Sequence, residues 1–188
     1  RAYEAKSVHR TDVERLKESP PPSVTCPRST VSFDGDLKAA DFAGAEELPD
    51  WRTTMGYPAD SRISGHIMHD GTWLYLKLVH GIGADKLITS ADIWSGDDWE
   101  IFVARDRGEQ CRQIGINPAG KHLALAYAER ATWEPRVAVS SARGDEVWTT
   151  LVAISLADLL WVAGSAALLL MSPPFMLAGS ALSIGLVA

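Results

Sequence analysis

Between residues 31 and 158 no apolar run reaches helix length before a turn signal interrupts it. Asp34-Gly35, Asp70-Gly71, Ser95-Gly96, Asn117-Pro118-Ala119-Gly120 and Arg143-Gly144-Asp145 punctuate the chain. The runs between them are short and rich in β-branched and aromatic residues. They cover 63–68, 72–79, 99–104, 112–116, 122–127, 136–140 and 147–154. Such a pattern predicts an all-β fold, an antiparallel β-sandwich of jelly-roll or immunoglobulin-like type. Asp70-Gly71 between two apolar runs predicts a hairpin.

The flanks read differently. Residues 1–18 are polar and rich in helix formers, which predicts a short N-terminal helix. Pro20, Pro21 and Pro22 stop it, and residues 19–30 read as a Pro-rich linker. The expectation is a helix from the end of a preceding domain, joined by that linker to a sandwich over 31–188. Positions 159–188 carry no charge. Three readings of this tail stand side by side: the final strands of the sandwich, a membrane anchor, or a segment (161–188) whose residue identities are not those the gene encodes. Pro173-Pro174 cuts it into halves too short to span a bilayer as helices, which weighs against the anchor.

Charge narrows the function classes. The chain of 188 residues has a net charge of −6 and no Lys/Arg cluster, so nucleic acid is excluded as the expected partner. It also has seven tryptophans, more than a core of this size needs. Trp73, Trp99 and Trp148 alternate with apolar neighbours inside strand-like runs and read as core. Trp94 lies in a polar loop, after Asp92 and before Ser95-Gly96-Asp97-Asp98. It reads either as a flat platform for the C–H face of a sugar or as a cap on the sandwich edge. Trp51 and Trp133 are secondary platform candidates.

Asp97, Asp98 and Glu100 form an acidic knot with three readings. They can contact sugar hydroxyls, with Glu100 as the contact. They can hold a structural cation such as calcium, with Asp97 and Asp98 as candidate ligands. They can be a pair of glycosidase carboxylates. On a strand Asp98 and Glu100 share one face and Asp97 takes the other. His66 and His69, three apart on a strand, point to opposite faces and do not chelate one metal; they read as solvent-facing. Cys26 and Cys111 leave open a bridge or two independent thiols.

Five stretches also occur in a familiar order. Phe33-Asp34-Gly35-Asp36-Leu37 is followed by Phe42. His69-Asp70-Gly71-Thr72-Trp73-Leu74-Tyr75-Leu76 comes next, then Ile93-Trp94-Ser95-Gly96-Asp97-Asp98-Trp99-Glu100-Ile101-Phe102. Gln113-Ile114-Gly115-Ile116-Asn117-Pro118-Ala119-Gly120 precedes Val147-Trp148-Thr149-Thr150-Leu151-Val152-Ala153-Ile154, with Leu159 after it. Over residues 33–160 this order resembles the family 9 carbohydrate-binding modules. The resemblance implies a non-catalytic sandwich that binds a polysaccharide or oligosaccharide. It implies a larger bacterial parent protein that acts on glycosides and is secreted, periplasmic or at the cell surface. By the same resemblance Trp94 is one of two tryptophans clamping the sugar, Glu100 binds hydroxyls, and Gln113 supplies the polar contact of the next strand. No cofactor is implied, apart from the structural calcium already considered. Two departures stand out. Met171-Ser172-Pro173-Pro174-Phe175 sits where the second clamp tryptophan is expected, and the family's Gly, Asn and Arg segment after Leu160 is missing. The rival readings are a structural or interaction domain that has lost sugar binding, and a small glycoside hydrolase using Asp98 and Glu100.

Overall fold

The computed structural model describes residues 23–29, 35–37, 41–49, 51, 62–104, 112–126, 133–162, 166–171 and 180–186. The expected helix over 1–18 lies outside them. The remaining elements form two sheets. Five strands assemble in the order β2 (Glu46–Glu47), β3 (Ile63–His69), β4 (Trp73–His80), β9 (Trp148–Ser155) and β8 (Val137–Arg143). Six strands assemble in the order β1 (Ser23–Cys26), β11 (Ser180–Leu186), β10 (Ala166–Met171), β5 (Trp99–Ala104), β6 (Arg112–Ile116) and β7 (His122–Ala126). The seven runs expected from the sequence all appear as strands, and β5 and β6 have the expected limits.

The linker boundary needs correction. Ser23–Cys26, placed in the linker by its flanking prolines, is a strand of the sheet. The run Ser-Val-Thr-Cys between Pro22 and Pro27 is long enough to pair, and Pro27 O accepts from His69 N at 3.0 Å. β1 pairs β11 in parallel, Ser23 opposite Ser183 and Cys26 opposite Leu186, while the other pairings among the described strands are antiparallel, as expected. The uncharged tail supplies β10 and β11, the final strands of the sandwich. Among the described residues no helix is long and apolar enough to cross a membrane.

Period-two alternation builds the core. Ile67, Leu74, Leu76, Leu78, Trp148, Val152 and Ile154 from one sheet meet Trp99, Ile101, Val103, Ile114 and Ile116 from the other. Trp99 and Trp148, both fully buried, lie with ring centroids 5.3 Å apart and planes tilted by 37°. Trp51 is no sugar platform: it is half-buried, edge-on to Trp99 at 6.2 Å. Trp133 is partly buried too, with the Arg112 guanidinium 5.2 Å above its ring. His69, expected to face solvent, is buried, because its position in β3 has core parity opposite Leu74. Cys26 is a free, fully buried thiol, and burial pushes its pKa up to about 12. Cys111 lies outside the described residues.

The two sheets differ on their outer faces. On the five-stranded sheet Met68, Tyr75 and Ala153 form a second apolar cluster with Leu37, and Phe42, Ala45 and Trp73 pack against it. Leu37, Phe42 and Ala45 therefore cover part of that face. The hairpin between β3 and β4 is fixed from the same side. Gly71 takes φ 94°, and Asp70 accepts from Thr72 N, Trp73 N and the Tyr75 hydroxyl. The outer face of the six-stranded sheet carries polar and apolar groups side by side.

Candidate functional site

Strand alternation decides which side chains reach that outer face. In β5, Trp99, Ile101 and Val103 enter the core, which turns Glu100 and Phe102 outward. In β6, Ile114 and Ile116 enter the core, which turns Gln113 and Gly115 outward. Register then sets Glu100 opposite Gly115 and Phe102 opposite Gln113. On the edge strand β7, Leu123 lies opposite Gly115 and Leu125 opposite Gln113.

Trp94 reaches this face from a 3₁₀ turn, Ile93–Ser95. Asp92 caps the turn: its Oδ1 accepts from Trp94 N at 3.3 Å and its Oδ2 from the Ser95 hydroxyl at 2.6 Å. Ile93 is buried as the anchor, while Trp94 is 38% exposed. Asn117 ties the turn to the sheet. Its Nδ2 donates to Ser90 O at 2.9 Å, and its Oδ1 accepts from Ala119 N and Lys121 N. Lys121 Nζ adds a bond to Ala91 O at 2.7 Å. The indole is seated on Gly115. A methyl group there would come within 2.5 Å of Trp94 Cζ3, so only glycine leaves room for the ring.

Beside the indole, Gln113 Nε2 donates to Glu100 Oε1 at 2.5 Å. Gln113 is only 2% exposed, and its Oε1 has no hydrogen-bond partner among the described residues. The three residues expected to contact sugar thus share one face. The acidic knot divides otherwise. Asp97 is 1% exposed, and its Oδ2 accepts from Ile88 N at 2.7 Å, so this carboxylate holds the loop together. Asp98 is half-buried and its pKa rises to about 7, first through burial and then through repulsion from Glu100 and Asp97. Burial also raises Glu100, and the Gln113 hydrogen bond opposes that rise. Among the described residues no group of three or more His, Cys, Asp or Glu side chains is placed to hold a metal ion.

The Asp98 shift has a stability consequence. Its value rises from 3.8 in the free side chain to about 7 in the fold. The unfolded chain therefore loses this proton first as pH rises. The favourable contribution is complete below the unfolded value and is lost by the time pH has passed 7. Asp98→Asn is expected to raise the denaturation midpoint at pH 8 and to leave it near wild type at pH 3.5. Urea titrations at the two pH values check this.

Sequence reasoning did not single out Gly115, Asn117 or Leu123 as parts of the site. The signal was a glycine inside an otherwise apolar strand run, which marks a close approach from outside the strand.

No protein-family model matches the chain, and no curated protein sequence matches it either. Solved structures do. A family 9 carbohydrate-binding module of Caldicellulosiruptor kristjanssonii in complex with glucose superposes with a TM-score of 0.59 at 9% identity, over 88% of this chain and 97% of that one. A family 9 module from the same organism in complex with cellotriose gives 0.56 at 11% identity, over 80% and 75% of the two chains. A Bacteroides uniformis ATCC 8492 protein, for which carbohydrate binding is inferred, gives 0.56 at 17% identity, over 88% and 100%. At these identities the likeness is one of fold, and the chain has the β-sandwich fold of the family 9 carbohydrate-binding modules.

Proposed function

We propose that the outer face of the six-stranded sheet binds a sugar ring, with Trp94 as the stacking platform and the Glu100–Gln113 pair as the polar contact. One observation carries the reading: a part-exposed indole seated on a glycine, beside a buried amide whose oxygen has no donor among the described residues. An aromatic face matched with a few fixed polar groups is what a saccharide's alternating C–H and O–H surface requires. Two proteins of the same fold, complexed with glucose and cellotriose, support the ligand class. We read the chain as a non-catalytic module of a larger bacterial protein that acts on glycosides outside the cytoplasm, next to a preceding domain of the same polypeptide. The second clamp position, near 171–175, falls largely outside the described residues.

Calorimetric titration with glucose, cellobiose and cellotriose tests the reading. Saturable binding is expected, with dissociation constants between about 10 μM and 1 mM (about −7 to −4 kcal/mol) for a single platform. Folded protein that gives no heat and no tryptophan fluorescence change with any sugar overturns it and leaves a structural domain.

A further inference from the structure

We propose that this site takes a sugar bearing a protonated amine, a glucosamine unit, in preference to a neutral or acidic one. The proposal rests on the sugar-binding reading above and names the ligand's chemistry.

The argument is an inventory of what the site still lacks. Asp92 is used by its turn and Asp97 Oδ2 by Ile88 N, while the buried Asp97 Oδ1 has no donor among the described residues. That leaves Asp98 and Glu100, which share the outward parity of β5. Asp98 accepts no hydrogen bond from any described residue, and Glu100 accepts only the Gln113 amide. Gln113 Oε1, on a side chain 98% removed from solvent, has no donor among the described residues. The unmet demands around Trp94 are therefore all for donors. A hydroxyl donates one hydrogen and brings two lone pairs of its own. An ammonium donates three and brings none. The lining suits the ammonium.

Charge points the same way. Burial disfavours the charged form of both Asp98 and Glu100, Asp98 also feels repulsion from Glu100 and Asp97, and no described cation offsets these effects. The nearby candidates are committed elsewhere: Lys121 Nζ to Ala91 O, and the Arg112 guanidinium to the Trp133 ring. An ammonium supplies the missing counter-charge, and the Trp94 face adds a cation–π contact. A uronic acid would bring a further carboxylate to a site that already repels its own.

The test uses the intact chain near neutral pH and compares a glucosamine trimer, its N-acetylated form, cellotriose and a galacturonic acid trimer. The glucosamine trimer is expected to bind about tenfold more tightly than cellotriose, the gain of one charge-assisted contact. N-acetylation should remove the advantage, as should ~1 M salt, where the screening length is about 3 Å. Asp98→Asn, which lies outside the Glu100–Gln113 pair, should remove the advantage while cellotriose binding persists; Glu100→Gln should remove it and weaken cellotriose as well. Equal, salt-insensitive binding of cellotriose and glucosamine trimer overturns the proposal and leaves sugar binding intact. Calcium binding to the carboxylates without any preference for the amine also overturns it. Silence with every sugar removes both readings together.

Discussion

Trp94→Ala is expected to weaken sugar binding by about thirtyfold or more, the usual loss of some 2 kcal/mol when a central aromatic anchor is truncated. Stability should fall by no more than about 1 kcal/mol, because the side chain is already 38% exposed and its loss opens no core cavity. The 3₁₀ turn beneath it is held by Asp92, Asn117 and the buried Ile93, none of which needs the indole. Parallel calorimetry and urea denaturation separate the two effects. A variant that binds as tightly as wild type would move the platform elsewhere on the molecule. A variant that unfolds would make Trp94 a cap on the sandwich edge.

Five residues further on, the same substitution should do the opposite. Trp99→Ala is expected to destabilise the protein by about 3–5 kcal/mol, against a typical total of 5–15. Trp99 is fully buried and touches two other indoles, Trp148 at 5.3 Å and Trp51 at 6.2 Å between ring centroids. Removing it opens a cavity between the sheets that strand backbones cannot close. The measurement is the urea midpoint together with near-ultraviolet circular dichroism, which reports the fixed packing of these rings. A midpoint within 1 kcal/mol of wild type would mean that the two sheets do not meet around Trp99.

The contrast between these tryptophans was legible in the sequence because of parity. Trp99 alternates with Ile101 and Val103, whereas Trp94 is surrounded by Asp and Ser, and hydrophobic periodicity reads that difference directly. The strands and the Asp70-Gly71 hairpin were legible for the same local reason. β1 was not, because its four residues sit between prolines and acquire strand geometry only through a partner more than 150 positions away. Trp51 was misread because its neighbour, Trp99, is remote in sequence. His69 has core parity, but it ends its strand beside a turn, where periodicity loses force. The carboxylates were visible as residues and not as acids of unequal strength. The rise of Asp98 to about 7 depends on burial and on which neighbours share its face, and both are properties of the folded sheet.

The strand order of the larger sheet bears on how the molecule is made. β5, β6 and β7 pair in sequence, but the other edge of β5 is completed by β10, with Leu170 opposite Ile101, and β1 waits for β11. As the chain leaves the ribosome, β5 must therefore hold one edge unpaired while about sixty further residues are synthesised, at roughly 5–20 per second. An open edge of this kind is a template for pairing with another chain. Assembly by such distant contacts is slow, so the interval in which nascent copies can associate wrongly is set by topology rather than by final stability.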